Sequence, residues 1–155
     1  IGLTTPYSKC KAVLELLATI YPKTLGFRIY ACYGTGEEHK GEYASIIYKF
    51  AKEMKQGKRP VIWGDGTQTR DFIYIDDVID CIVRNRNKTG VIDVGTGFIC
   101  TFNKIVEIIN EKLHKHIKPK YIKKPSLYID NTICCDPCRT KVSLRSGIQK
   151  VIDSI

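Results

Sequence analysis

The chain has 155 residues, 43% of them hydrophobic and 26% charged, a size that can bury a core without disulfides or metals and a composition unlike disordered or collagen-like chains. No apolar run reaches the roughly 18–20 residues a membrane span needs, and no secretory signal pattern is visible. The net charge of +9, from 25 Lys and Arg against 16 Asp and Glu, favours anionic partners such as a sugar nucleotide or nucleic acid.

Ile1-Gly2-Leu3 runs almost at once into a helix start, which suggests a fragment. Thr5 as N-cap and Pro6 at the first helical position predict a helix with Val13, Leu16, Leu17 and Ile20 on its apolar face, closed by Pro22. Leu25 to Tyr30 is a β-type run that leads into the polar, glycine-punctuated loop Gly34 to Gly41, a kind of loop that carries ligands. Tyr43, Ile46, Ile47, Phe50, Ala51 and Met54 recur at helical spacing, their aromatics and Met54 expected in the core, and Gly57 is placed to end that helix. Val61-Ile62-Trp63 predicts a strand, Gly64-Asp65-Gly66-Thr67 contains the Asp-Gly hairpin signal, and Thr69 to Ile75 predicts a second strand. Asp76 or Asp77 is then expected to cap a helix through Val78, Ile79, Ile82 and Val83. Val91 to Val94 predicts a strand that breaks at Gly95-Thr96-Gly97. Thr101 caps a longer helix with Phe102, Ile105, Val106, Ile109 and Leu113 inward, which stops before Pro119. Ile148, Val151, Ile152 and Ile155 suggest a short terminal helix. Strands alternating with helices predict an α/β protein with a parallel sheet.

The seven cysteines are odd in number and scattered, which suggests reduced thiols in a cytosol rather than a disulfide framework. Cys135 and Cys138 have the spacing of half a zinc site, but no second pair is present unless His114 and His116 supply it, so thiols are preferred to metal. No acidic residue interrupts the lysine-rich stretch from Lys112 to Lys124. It reads as a solvated helix end followed by a lysine-guarded edge strand, and Tyr121 alone is thin support for base stacking.

Tyr7 and Lys11 lie four apart at a helix start, so they project from one face a turn apart. An ammonium beside a phenol favours the phenolate and lowers its pKa from about 10, which suits a general base for a sugar hydroxyl. The spacing alone is common, but here it precedes a strand and a ligand-type loop.

In this context Thr5-Pro6-Tyr7-Ser8-Lys9-Cys10-Lys11 resembles the catalytic Tyr-x-x-x-Lys helix start of the extended short-chain dehydrogenase/reductase family, the NAD-dependent nucleotide-sugar epimerases and dehydratases. The likeness continues in register. Gly26 to Tyr30 with Tyr33-Gly34 is similar to the family's strand and Tyr-Gly-Pro loop, and Gly64-Asp65-Gly66 through Arg70-Asp71-Phe72-Ile73-Tyr74-Ile75-Asp76-Asp77-Val78 to its downstream motif. Asp93-Val94-Gly95-Thr96-Gly97 is similar to its Asn-hydrophobic-Gly-x-Gly strand end. His39-Lys40-Gly41-Glu42-Tyr43-Ala44-Ser45 resembles the His-Lys-Gly-x-x-Ala-Ser pattern of ADP-heptose 6-epimerases, and UDP-glucose 4-epimerases offer the other near pattern.

The resemblance implies the C-terminal half of a Rossmann-type NAD(P)-binding fold plus the smaller substrate-binding lobe. Residues 1–33 would hold the catalytic helix and a strand, 34–75 a substrate-binding segment, 76–97 a return to the nucleotide-binding fold, and 98–155 the substrate lobe and terminal helix. Tyr7 would be the acid/base in a transient oxidation of a sugar carbon by NAD, or NADP, and Lys11 would tune it while bonding the nicotinamide ribose. Lys40 would act as a second acid/base or merely neutralise a phosphate; His39 and Ser45 would join it in substrate binding, and Arg70 would hold the diphosphate of a UDP- or ADP-sugar. The resemblance also implies a cytoplasmic enzyme, a homodimer or larger assembly, and no metal.

Ala31, Thr35 and Asp93 depart from the family's Asn, Pro and Asn. The family's Gly-x-x-Gly-x-x-Gly turn belongs to an N-terminal half that these residues do not contain, so the chain alone should neither hold NAD tightly nor turn over, and apolar surface that faces that half should be exposed. Two rivals remain: a non-catalytic sugar-nucleotide-binding module or split subunit, and a basic nucleic-acid-binding domain.

Overall fold

Residues 5–155 are described by a computed structural model; Ile1-Gly2-Leu3, read above as the start of a fragment, lies outside them. The first helix, α1 (Pro6–Ile20), starts where Thr5 and Pro6 predict it. The Thr5 hydroxyl accepts from Ser8 N–H and the Ser8 hydroxyl accepts from Thr5 N–H, both at 3.1 Å, a reciprocal cap that satisfies two orphan donors. Its apolar residues do not turn inward as the periodicity suggests. Ala12, Glu15 and Ala18 are half-buried on the sheet side, whereas Val13, Leu14, Leu16, Leu17 and Ile20 are exposed. The sheet beneath is two-stranded, with β1 (Leu25–Ile29) parallel to β5 (Gly90–Val94) and Arg28 level with Asp93. Arg28 ties this layer together: it donates to Glu15 of α1 at 2.7 Å and to Asp93 of β5 at 3.0 Å.

The rest of the chain packs more deeply. β4 (Thr69–Tyr74) lies between β2 (Ala31–Tyr33), which is parallel to it, and β6 (Ile99–Thr101), which is antiparallel. Three helices, α2 (Ile46–Lys55), α4 (Phe102–Leu113) and α5 (Leu144–Asp153), enclose a core that includes Tyr33, Ile47, Met54, Ile62, Ile105 and Ile148. Burying each of these side chains contributes roughly 1.5–3 kcal/mol before entropy is counted. Helix α3 (Ile75–Asn85) carries a smaller cluster of Val78 and Cys81 against Ile73 and Val94. Gly147 lets α5 approach the sheet, because a Cβ there would lie 2.2 Å from the Tyr33 hydroxyl oxygen.

The strands form three small sheets rather than one. The Asp-Gly turn does not make a hairpin, although Gly64 and Gly66 adopt φ of 80° and 81°. β3 (Val61–Trp63) instead pairs in parallel with β7 (Lys120–Ile122), and β4 has both edges filled by β2 and β6. Arg59 fastens the β7 approach by donating to the carbonyls of Lys118 and Pro119. Tyr43 is not a core residue; it is 95% exposed at the end of a 3₁₀ turn, Glu38–Tyr43, that breaks at Gly41 with φ of 54°. α2 therefore begins after Ser45, whose hydroxyl accepts from Tyr48 N–H at 3.2 Å. Neither Asp76 nor Asp77 caps α3, because Tyr74 stands at that position without a side-chain bond. Buried Asp77 instead accepts from the N–H groups of Lys141 and Val142, at 2.8 and 3.0 Å. Thr101 does cap α4, and α5 forms where the terminal spacing predicts it.

Part of the lysine-rich stretch has a structural address. Lys115 donates to the Met54 and Lys55 carbonyls at the end of α2, at 2.9 and 2.7 Å, where a cation meets the negative end of the helix dipole. Lys124 pairs with Asp130 at 2.6 Å. No helix among the described residues is long and apolar enough to cross a membrane.

Candidate functional site

The candidate residues fall into three groups on different elements, and no hydrogen bond or ion pair among the described residues joins one group to another. The first is Tyr7 and Lys11 on α1. The cap at Thr5 and Ser8 fixes the first helical turn, and helical geometry brings Lys11 Nζ to 5.4 Å from the Tyr7 ring centroid. Tyr7 is 71% exposed, so its hydroxyl is open to a ligand. A phenol and an ammonium side by side present donors and an acceptor to sugar or ribose hydroxyls, a donor set that fits the ribose end of a dinucleotide.

The second group is the loop from Gly34 to Ser45, organised by a residue the sequence reading passed over. Glu37 is 3% exposed, and its carboxylate accepts from Gly34 N–H at 3.1 Å, Ser45 N–H at 2.8 Å and the Ser45 hydroxyl at 2.7 Å. Burial opposes its charge, but these donors and the nearby Lys40 ammonium win and hold the carboxyl below its ordinary range. Lys40 Nζ stands 3.4 Å from Glu37, and nearly half of its side chain is open to solvent. His39 is exposed beside it. Ser45 is engaged in both directions, donating to Glu37 and capping α2, and the Glu37 carboxylate already sits against the first turn of that helix. A phosphate at this helix start would meet a resident carboxylate. A buried glutamate in a glycine-rich polar loop leaves no mark in the sequence beyond its position between Gly36 and the helix cap.

The third group surrounds Arg70 on β4. Its guanidinium lies 5.6 Å from the Phe102 ring centroid and 5.2 Å from that of Tyr128. Nη1 donates to the carbonyls of Thr69 and Asp130 at 2.8 and 2.9 Å, and Nη2 donates to that of Ile129 at 2.7 Å. Of the five N–H donors of a guanidinium, these bonds leave two for a ligand. Beside this segment, Gly64, Asp65, Thr67, Gln68, Lys124, Asp130 and Asn131 line an open cleft of about 510 Å³.

Next to Arg70, Asp71 is fully buried. Its carboxylate accepts from Thr96 N–H, the Thr96 hydroxyl, Gly97 N–H and Cys134 N–H at 2.5–3.1 Å. Gly95 is required there, since a Cβ would lie 2.5 Å from the Cys134 Cβ and 2.9 Å from the Asp71 carboxylate. The Thr96 and Gly97 N–H groups of this turn are thus committed to a protein carboxylate and are not a cradle for a pyrophosphate. The dinucleotide fit among the described residues is confined to Tyr7 and Lys11. All seven cysteines are free, and no group of three or more His, Cys, Asp or Glu side chains is placed to hold a metal ion among the described residues.

The NAD dependent epimerase/dehydratase family matches residues 1–95. A chain of Methanocaldococcus jannaschii that carries the provisional name UDP-glucose 4-epimerase is 29% identical over 99% of this chain and 54% of its own length. ADP-L-glycero-D-manno-heptose-6-epimerase of Brachyspira hyodysenteriae is 35% identical over 66% of this chain and 33% of its own. Among solved structures, UDP-glucuronic acid 4-epimerase of Bacillus cereus, in complex with UDP-glucuronic acid and NAD, is 26% identical with a TM-score of 0.81, over 97% of this chain and 52% of that one. This chain therefore spans about half the length, or less, of the relatives it matches.

Proposed function

Because the chain belongs to the NAD dependent epimerase/dehydratase family, we propose that it forms the acid/base and substrate-bearing half of a nucleotide-sugar epimerase that uses NAD. The observation that carries this reading is the exposed Tyr7 hydroxyl with Lys11 one turn away on a firmly capped helix. When bound, NAD supplies reversible oxidation of a sugar carbon. The chain's own part is proton transfer: Tyr7 takes the proton of the sugar hydroxyl as that carbon is oxidised and returns it when the alcohol is restored. Lys11 sets a positive charge beside the Tyr7 ring and donates to ribose hydroxyls. Its neighbourhood to Tyr7 makes the pair act as a unit.

Lys40 has the exposure to meet a substrate, and it serves as a second proton donor or as a counter-charge to phosphate with His39 beside it. Arg70 offers its two remaining donors to the diphosphate of a UDP- or ADP-sugar near the cleft lined by Lys124. Ser45 acts through Glu37, as a positioning residue that shapes the loop bearing Lys40. A dinucleotide-binding unit beyond the described residues completes the active enzyme, and the apolar side chains exposed along α1 support its assembly with further polypeptide in a cytoplasmic dimer or larger complex.

The test joins this chain to a dinucleotide-binding half of the family and measures epimerisation of UDP- and ADP-sugars. Tyr7→Phe is expected to lower kcat by about 10²–10⁴-fold with the helical signal unchanged. Full activity in that variant removes Tyr7 from the mechanism. Ala31, which packs against the core where the resembling family carries Asn, favours one second reading, a sugar-nucleotide-binding module without turnover. Calorimetric binding of a UDP-sugar by the completed, inactive protein would select it.

A further inference from the structure

Segment 138–142 runs along one face of α3. Asp77, Asp80, Cys81 and Arg84 occupy that face at i, i+3, i+4 and i+7. Asp77 accepts from Lys141 and Val142 N–H, Asp80 pairs with the Lys141 ammonium, and Arg84 donates to the Arg139 carbonyl at 2.8 Å. Cys138 fills the remaining place in this row. It packs against the small core cluster that contains Cys81, and its thiol donates to the Gly95 carbonyl at 3.3 Å. Polar bonds on both sides of Cys81 thus hold Cys138 against the cluster that contains it, although the two cysteines are 57 positions apart in the chain. Cys135, at C-x-x-C spacing from Cys138, is exposed, whereas Cys81 is 1% exposed.

We propose that Cys81 and Cys138 are a redox modification site, which hydroperoxides convert to an intramolecular disulfide that staples the segment over Gly95 to α3. The half-buried Cys138 is the sulfur an oxidant reaches first. Its thiolate attacks one peroxide oxygen, the O–O bond breaks, and a sulfenic acid forms with release of water. The Cys81 sulfur then attacks the Cys138 sulfur, the S–O bond breaks, and a second water leaves. Two thiols give up two electrons and two protons, and one hydrogen peroxide becomes two waters. Burial, with Cys81 nearby, pushes the Cys138 thiol up to about 11, so Cys138 is mostly protonated at neutral pH and reacts slowly.

The experiment treats the reduced full chain with hydrogen peroxide, denatures and alkylates it, and maps cross-linked peptides by mass spectrometry. A Cys81–Cys138 link is expected, with a melting temperature raised by about 5–10 °C. In a Cys10→Ser, Cys135→Ser background, which keeps five of the seven cysteines, alkylatable thiols should fall to three and the shift should persist. Cys138→Ser, at a half-buried position, should abolish link and shift together. A Cys135–Cys138 link in the unaltered chain, five thiols retained in the double-serine background, or links only between molecules would each overturn the proposal.

Discussion

Helix α4 buries Phe102, Ile105, Val106, Ile108 and Ile109, whereas α1, which is longer and equally rich in apolar side chains, buries none. The difference lies in what surrounds each helix. α4 has α2, α5 and β6 around it, and its apolar residues meet those of three other elements. α1 has the two-stranded β1–β5 sheet on one side, and there the contact is made by Ala12, Glu15 and Ala18, with Arg28 bridging to Glu15. The Arg28 pairs are exposed and screened, so they add little to stability. An apolar stripe records which face of a helix avoids water; it does not record whether a partner lies within reach.

Asp71 joins the two regions and offers the largest test of the contrast. Asp71→Ala would leave the Thr96, Gly97 and Cys134 N–H groups without their acceptor and is expected to destabilise by about 3 kcal/mol or more. A lowered urea midpoint and loss of hydrogen-exchange protection at those amides would show it. Ile109→Ala should cost about 2–5 kcal/mol in the packed lobe, because Ile109 is fully buried among helices that cannot collapse freely. Gly147→Ala, which drives a Cβ into Tyr33, should cost about 1–3 kcal/mol and leave α1 untouched. Smaller still is the acid response of the loop around Glu37. A carboxyl held below its unfolded value stabilises the fold above that value, and this contribution is lost as pH falls through the folded one. Glu37→Gln should therefore flatten the decline of melting temperature in the acid range. Leu16→Ala, 61% exposed on α1, should change stability by less than about 0.5 kcal/mol. If Leu16→Ala matched Ile109→Ala in its effect, α1 would be covered in solution and the contrast would fail.

The helices were legible where spacing and caps agreed. Thr5 and Pro6, Thr101 and the Ile148-Val151-Ile152 spacing each mark an element that forms as read. Tyr43 was misread because the helical period continues one turn beyond Ser45, while Gly41 and the bonds from Ser45 to Glu37 break the helix there. The hairpin was misread because an Asp-Gly turn states that the chain reverses locally, and strand pairing depends on which edges are already filled. Of the site residues, Tyr7 and Lys11 were legible because one helix sets their separation. Arg70 was legible by type, but its bonds to Ile129 and Asp130 belong to a segment some 60 residues away in the chain.

By itself the sequence determined the local terms of this protein: the caps, the helical period, the Tyr7–Lys11 spacing, the motifs that mark its family, and a basic surplus suited to anionic ligands. Tertiary structure alone decided the fate of the charges within those motifs. Glu37, Asp71 and Asp77 became buried acceptors for backbone N–H groups, and Lys115 became the cap of a distant helix. The physical reason is that a buried carboxylate survives only where several donors converge on it, and those donors come from loops whose approach no local pattern encodes.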